Sequence, residues 1–160
     1  MKIKGIIDED FTNYYKTSMF IATCKCNWKC CLEANIPISV CQNSELANQP
    51  NIEVSMDEIF HRYQSNSLSH AIVIGGLEPF MQFEDILNLI KYFRSHGCND
   101  DFVIYTGFYD YEIKKEILDL QKYKNITLKT GRYKPNNSPH YDKILGVSLV
   151  SDNQKGVKIS

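Results

Sequence analysis

Long apolar runs are missing from this sequence, and so are blocks of like charge. No segment reaches the roughly 20 apolar residues that a membrane-spanning helix needs. Eighteen Lys and Arg stand against nineteen Asp and Glu, a net charge of −1. Neither nucleic acid nor a membrane surface is expected as a partner. There is no low-complexity segment, no internal repeat and no linker, so residues 1–160 read as a single domain. A chain of that length hides about 70% of its unfolded surface and needs no disulfide staples. The first residues, MKIKGIIDEDF, carry acids at once and match neither a signal nor a transit peptide. The expected compartment is the cytoplasm, where thiols stay reduced. A last absence concerns metal: no C-x-x-C pair repeats, so the paired spacing of many structural zinc sites is lacking.

What the chain does have is a crowd of thiols. Five of its six cysteines fall in TCKCNWKCCLEANIPISVCQN, residues 23–43. Under reducing conditions such a cluster reads as metal ligands or redox groups before it reads as disulfides. Thiolate is a soft ligand that suits zinc, copper(I) or iron–sulfur clusters. Three residues separate Cys26 from Cys30, and ten more separate Cys30 from Cys41. Cys30 and Cys31 are adjacent, so their side chains diverge. Four thiolates would close a structural zinc site, whereas three thiolates on a cluster leave one iron open. On the thiols alone, zinc, inert buried cysteines and an iron–sulfur cluster all stand.

The rest of the chain alternates strands with helices. TSMFIAT (17–23) is a short apolar strand that feeds the cysteine loop. Ser55 with Glu58 three residues on forms a capping box that opens a helix. HAIVIGG (70–76), DFVIYTG (101–107) and NITLKTG (125–131) are β-branched, apolar and stopped by glycine, as buried strands are. FEDILNLIKYFRSHG places Phe83, Ile86, Leu87, Ile90 and Phe93 on one helical face, with Gly97 as the stop. DYEIKKEILDLQKYK reads as a helix with Ile113, Ile117 and Leu120 inward, and the tail carries two short strands. This alternation predicts an α/β domain, an open partial (β/α) barrel with a mainly parallel sheet. In such folds sites collect at the carboxyl ends of the strands. The cysteine loop 24–43, GGLEP, YTG and TGR each follow a strand, so four distant stretches should meet at one rim. There Gly75 and Gly76 allow close backbone approach. Glu78 is suited to accept hydrogen bonds from an ammonium group. Tyr105, Thr106 and Gly107 complete the neighbouring rim.

Taken in order, these stretches resemble the radical S-adenosylmethionine (SAM) superfamily, most closely its small activating proteins of anaerobic ribonucleotide reductases. CNWKC followed by CQN is similar to a stretched C-x-x-x-C-x-x-C motif, with Asn43 two places after Cys41. VIGGLEP resembles the glycine-rich motif that holds the SAM amino group. FVIYTGFYDYEI resembles the family's strand-and-turn TG segment, and LGVSLVSDNQKGVKI its carboxyl-terminal end. The resemblance implies that Cys26, Cys30 and Cys41 hold three irons of a [4Fe–4S] cluster and that SAM chelates the fourth. Gly75, Gly76, Glu78, Tyr105, Thr106 and Gly107 would then surround SAM. It implies cleavage of SAM to methionine and a 5′-deoxyadenosyl radical, which takes a hydrogen atom from a glycine of a partner enzyme. The implied partners are a glycyl-radical enzyme, foremost an anaerobic ribonucleotide reductase, and an electron donor such as a flavodoxin or ferredoxin. A radical SAM protein with another substrate and a non-catalytic, metal-stabilised binding module are the alternatives.

This sequence departs from the pattern in places. Eight residues, CLEANIPI, stand inserted between Cys30 and Cys41, which leaves Cys24 and Cys31 as substitute ligands. Closing a longer loop costs only about 0.6 kcal/mol per doubling, so the insertion does not forbid a cluster. GGLEP has one residue more than GGEP. Val40, before the third cysteine, packs but cannot stack. His61, His70, His96 and His140 read as surface or capping residues, and Trp28 as packing or a shield for a cluster. Tyr14 and Tyr15 are expected on an open sheet edge.

Overall fold

The computed structural model describes residues 1–160. In chain order the regular elements are β1 (Lys2–Asp10), β2 (Ser18–Thr23), α1 (Lys29–Ala34), α2 (Ser44–Asn48), β3 (Ile52–Glu53), α3 (Met56–Ser65), β4 (Ala71–Gly76), α4 (Phe83–Ser95), β5 (Asp101–Tyr105), α5 (Lys114–Leu120), β6 (Ile126–Thr130), β7 (His140–Asp142), β8 (Val147–Leu149) and β9 (Lys155–Lys158). Short 3₁₀ turns at Ile38–Val40, Pro79–Gln82 and Asp110–Glu112 link them. No helix is long and apolar enough to cross a membrane.

Seven strands form one sheet in the order β3-β1-β2-β4-β5-β6-β9. β2, β4, β5 and β6 run parallel, while β1, β3 and β9 join antiparallel at the flanks. The domain is thus mixed α/β with a parallel centre. The sheet has two edges, β3 and β9, and does not close on itself.

β1 is the element that the strand–helix alternation leaves out. Its register with β2 shifts between Ile3 and Gly5, the mark of a bulge. The shift lets Ile3 and Ile6, three residues apart, pack on the same core. A strict period of two is lost there, and the other positions hold lysines, acids, Gly5 and an exposed Ile7.

The two faces of the sheet are covered differently. Ile72, Ile74, Phe102, Ile104, Ile126 and Leu128 meet Ile59, Tyr63, Ile86, Ile90, Phe93 and Leu120 of the helices. The alternate residues Ala71, Val73 and Val103 point the other way and meet Tyr14, Leu145 and Leu149. Leu149 lies on β8, which pairs with β7 as a hairpin, and Leu145 lies in the turn between the two strands. Tyr14 is therefore buried beneath the tail and donates to Asp101 Oδ2 at 3.0 Å, not at an open edge. Tyr15 stays exposed beside it.

Local chemistry sets the helix ends. Ser55 Oγ accepts from Glu58 N at 3.0 Å at the start of α3. Glu84 and Asp85 lie in the first turn of α4 and Arg94 in its last, as the helix dipole favours. Each fully buried Ile, Leu or Phe on the inward stripe of α4 contributes about 1.5–3 kcal/mol. That rigid sandwich holds the carboxyl ends of β2, β4, β5 and β6 along one edge.

Candidate metal centre and cofactor cavity

Side-chain and backbone bonds fasten the cysteine loop to this edge. Thr23 Oγ1 donates to Gly75 O at 2.8 Å, Glu78 N to Lys25 O at 2.7 Å, and Asn43 Nδ2 to Gly76 O at 2.6 Å. Gly76 sits at φ +82°, where a side chain would be strained, and an added Cβ would lie 3.1 Å from Ala22. The turn after β4 thus folds against the loop that follows β2.

Between them lies a cavity of about 300 Å³, at the lower end of the roughly 300–1,000 Å³ typical of small-molecule sites. Cys26, Cys30 and Cys41 line it, and so do Gly75, Gly76, Glu78, Tyr105, Thr106 and Gly107. All nine residues singled out from the sequence meet here. Cys31, 2% exposed, also lines the cavity, so adjacency to Cys30 does not send it elsewhere. Cys24 turns away, with its Sγ 3.3 Å from Lys2 O. Cys98 is buried in the helical core. Val40 lies exposed on the loop, while Trp28 borders the cavity. His61 pairs with Asp57 on the outer face of α3 and His96 stacks on Tyr92.

One of the thiols, Cys26, receives a backbone hydrogen bond. Trp28, held at φ 56°, aims its N–H at Cys26 Sγ, 3.3 Å away. The backbone N–H of Tyr133 lies near enough to Cys30 to favour its thiolate. Burial pushes the Cys26 thiol up to about 11. It raises Cys30 as well, against the pull of the Tyr133 N–H and the Arg132 charge. Such thiols become thiolates when a cation joins them.

Glu78 is 7% exposed and accepts three hydrogen bonds, which leaves about one of its acceptor sites open. Its Oε1 accepts from Thr106 Oγ1 at 2.6 Å and Phe80 N at 3.1 Å, and its Oε2 from Gly107 N at 2.9 Å. Burial raises its pKa, while these three donors and the Lys129 charge work against the rise. The extra residue in GGLEP leaves Glu78 on the cavity wall.

Lys129 is the residue that sequence reading missed. It lies on β6 directly across from Tyr105 on β5, 8% exposed, with Nζ 3.2 Å from Gly131 O and 5.9 Å from the Tyr105 ring centre. No carboxylate pairs with it within 4 Å. Burial lowers its pKa to about 8, although Cys30 and Glu78 favour its charge. A lysine inside a strand read as buried was the available signal, because lysine is almost never fully buried. Thr12 and Asn13 also reach the cavity, held by Asp10, whose carboxylate accepts from both residues.

A mixed α/β domain with four thiols and a buried carboxylate at the carboxyl edge of parallel strands defines a cysteine-lined cofactor site. A family model described as a 4Fe-4S single cluster domain matches residues 15–154, and the chain belongs to that family. No curated protein and no solved structure matches the chain.

The residues present fit such a cluster. Cys26, Cys30 and Cys41 line one cavity together with Cys31, Cys26 already receives a backbone N–H, and Gly107 leaves room for Cys30 Sγ, which a Cβ there would meet at 2.8 Å. No three His, Cys, Asp or Glu side chains close on one point, as a single bound ion would require. A cluster asks less, because each thiolate binds a different iron.

Proposed function

We propose that the chain is a radical SAM enzyme of the activating type, with a [4Fe–4S] cluster on Cys26, Cys30 and Cys41. One observation carries the reading: a single cavity is lined by those thiols and by every residue of the GGLEP and YTG turns assigned to SAM. A cluster held by these thiols would, once reduced, supply the electron that cleaves SAM to methionine and a 5′-deoxyadenosyl radical. The chain's own residues bind and orient. Glu78 receives the ammonium of the methionyl group, with its carboxylate already fixed by Thr106 and Gly107. Lys129 gives the carboxylate of the same group a buried positive charge. Gly75 and Gly76 admit the ligand to the backbone, and Tyr105 and Trp28 exclude water. The hydrogen donor is a glycine of a partner, foremost an anaerobic ribonucleotide reductase. A flavodoxin or ferredoxin delivers the electron.

The test is anaerobic reconstitution, followed by iron and sulfide counts, EPR of the reduced protein with and without SAM, and assay of 5′-deoxyadenosine. About four irons per chain, a spectrum that changes with SAM, and a glycyl-radical doublet on adding a reductase support the reading. Deoxyadenosine without that doublet moves the substrate elsewhere. A second reading draws on Cys31, the fourth thiol in the cavity. Four thiolates would close the cluster and make the chain a cluster-stabilised binding or electron-carrying module, whose spectrum ignores SAM.

A further inference from the structure

We propose that Arg132 is a positioning residue that fixes Cys30 and sets the reduction potential of a cluster bound there; this rests on the iron–sulfur reading above. Arg132 follows β6 and is 3% exposed. Its guanidinium grips two carboxylates at once. Nε and Nη2 donate to Glu33 at 2.8 and 3.0 Å, and Nη1 and Nη2 each donate to Glu112 at 2.7 Å. Nη1 also donates to Gly107 O at 2.5 Å. Glu33 rides on α1, the six-residue helix that carries Cys30, and Lys29 of the same helix pairs with Glu112. One side chain therefore ties the cysteine helix to the rim segments after β5 and β6.

The connection reaches the sulfur itself. Tyr133, next in sequence, lines the main cavity together with Cys30. Gly107, whose carbonyl Arg132 holds, is the residue beside Cys30 Sγ. Arg132, Lys29, Cys26 and Cys30 share a second small cavity of about 20 Å³ behind the thiols. Arg132 and Lys29 balance Glu33 and Glu112, so the quartet carries no net charge. Lys29 and Glu33 stay about half exposed, and for the buried Arg132–Glu112 pair stability is a weak reason, because apolar residues of like volume often serve a buried position as well or better. Its place behind a ligand is better explained by what it does to the ligand. Cluster potentials respond to net charge and to hydrogen bonds at sulfur.

The direction follows. Reduction adds negative charge, so an uncompensated carboxylate behind Cys30 opposes it and an uncompensated cation favours it. Arg132→Gln should lower the midpoint potential and Glu33→Gln should raise it. Arg132→Lys keeps the charge but loses the fork that spans two carboxylates. It should leave the potential near that of the wild type while loosening α1. The experiment is an EPR-monitored redox titration of the reconstituted proteins, paired with hydrogen exchange on the metal-free proteins. Both Arg132 variants should exchange residues 29–34 roughly tenfold faster or more, the scale of one lost charge-assisted hydrogen bond. Opposite shifts for Arg132→Gln and Glu33→Gln support tuning, since loosened packing would move both the same way. Unchanged or parallel shifts overturn the tuning, and unchanged exchange at 29–34 overturns the positioning. Wild-type protein that takes up no iron removes the cluster reading and the tuning with it, while the exchange data still decide the positioning.

Discussion

Gly107 and Cys30 occupy neighbouring space so closely that a Cβ on Gly107 would lie 2.8 Å from Cys30 Sγ. The same Cβ would stand 3.4 Å from Glu78 Oε2. A glycine between the thiol and the carboxylate lets one turn serve both the metal side and the cofactor side of the cavity.

Gly107→Ala should therefore turn Cys30 out of place without unfolding the chain. Overpacking of this kind costs about 1–3 kcal/mol. Thermal unfolding should report that modest loss, and iron per chain after reconstitution should fall well below wild type. Full iron retention would mean that Cys30 is not held as a ligand in this orientation.

The cysteines should divide by where their sulfurs point. Alanine at Cys26, Cys30 or Cys41 should abolish a stable cluster, measured as iron and sulfide per chain. Cys24→Ser should keep wild-type iron, because that sulfur faces Lys2 O outside the cavity. Cys31→Ser separates the two functional readings: under the activating reading it leaves the SAM-induced spectral change intact, and under the closed-cluster reading it creates one.

Lys129 predicts an alkaline signature. Its folded pKa of about 8 lies below its ordinary 10.5, so between those values the folded state binds fewer protons than the unfolded one. This contribution makes stability rise with pH across that window. Lys129→Met should remove the rise and stabilise the metal-free protein at neutral pH by on the order of a few kcal/mol, given about 1.4 kcal/mol per pKa unit. The same variant should weaken the response of the cluster spectrum to SAM. Denaturant titrations of both proteins at pH 7, 9 and 10 check the first part.

Glu112 predicts the acid side. Hydrogen bonds from Arg132, with help from Lys29 and the Tyr109 N–H, hold its carboxyl at about 2 against an ordinary 4.5. The stability it adds is complete above 4.5 and is lost as pH falls toward 2. Glu112→Gln should be less stable than wild type at pH 6, and the gap should narrow steadily below pH 4.5. A gap that stays constant with pH would assign the loss to packing rather than charge.

Much of this was legible in the chain itself. Ile86, Ile90 and Phe93 repeat at helical spacing, and the runs HAIVIGG, DFVIYTG and NITLKTG announce buried strands by β-branching and a closing glycine. Parallel strands bring their carboxyl ends together, which puts Cys26, Cys30, Cys41, Gly76, Glu78 and Thr106 at one rim. Periodicity and topology are properties of local sequence, so they can be read there. What folding alone decided is long-range. The bulge at Ile3 hid β1, because its pairing with β2 shows up only across the strand gap. Tyr14 left the expected edge because the distant tail hairpin covers it. Cys24 and Cys31, both candidate substitute ligands on the sequence, part company because side-chain direction depends on how the loop is tied to Lys2, Gly76 and Gly107. Lys129 and Arg132 gained their meaning from burial beside thiols about a hundred residues away in sequence, a neighbourhood that only the packed sheet creates.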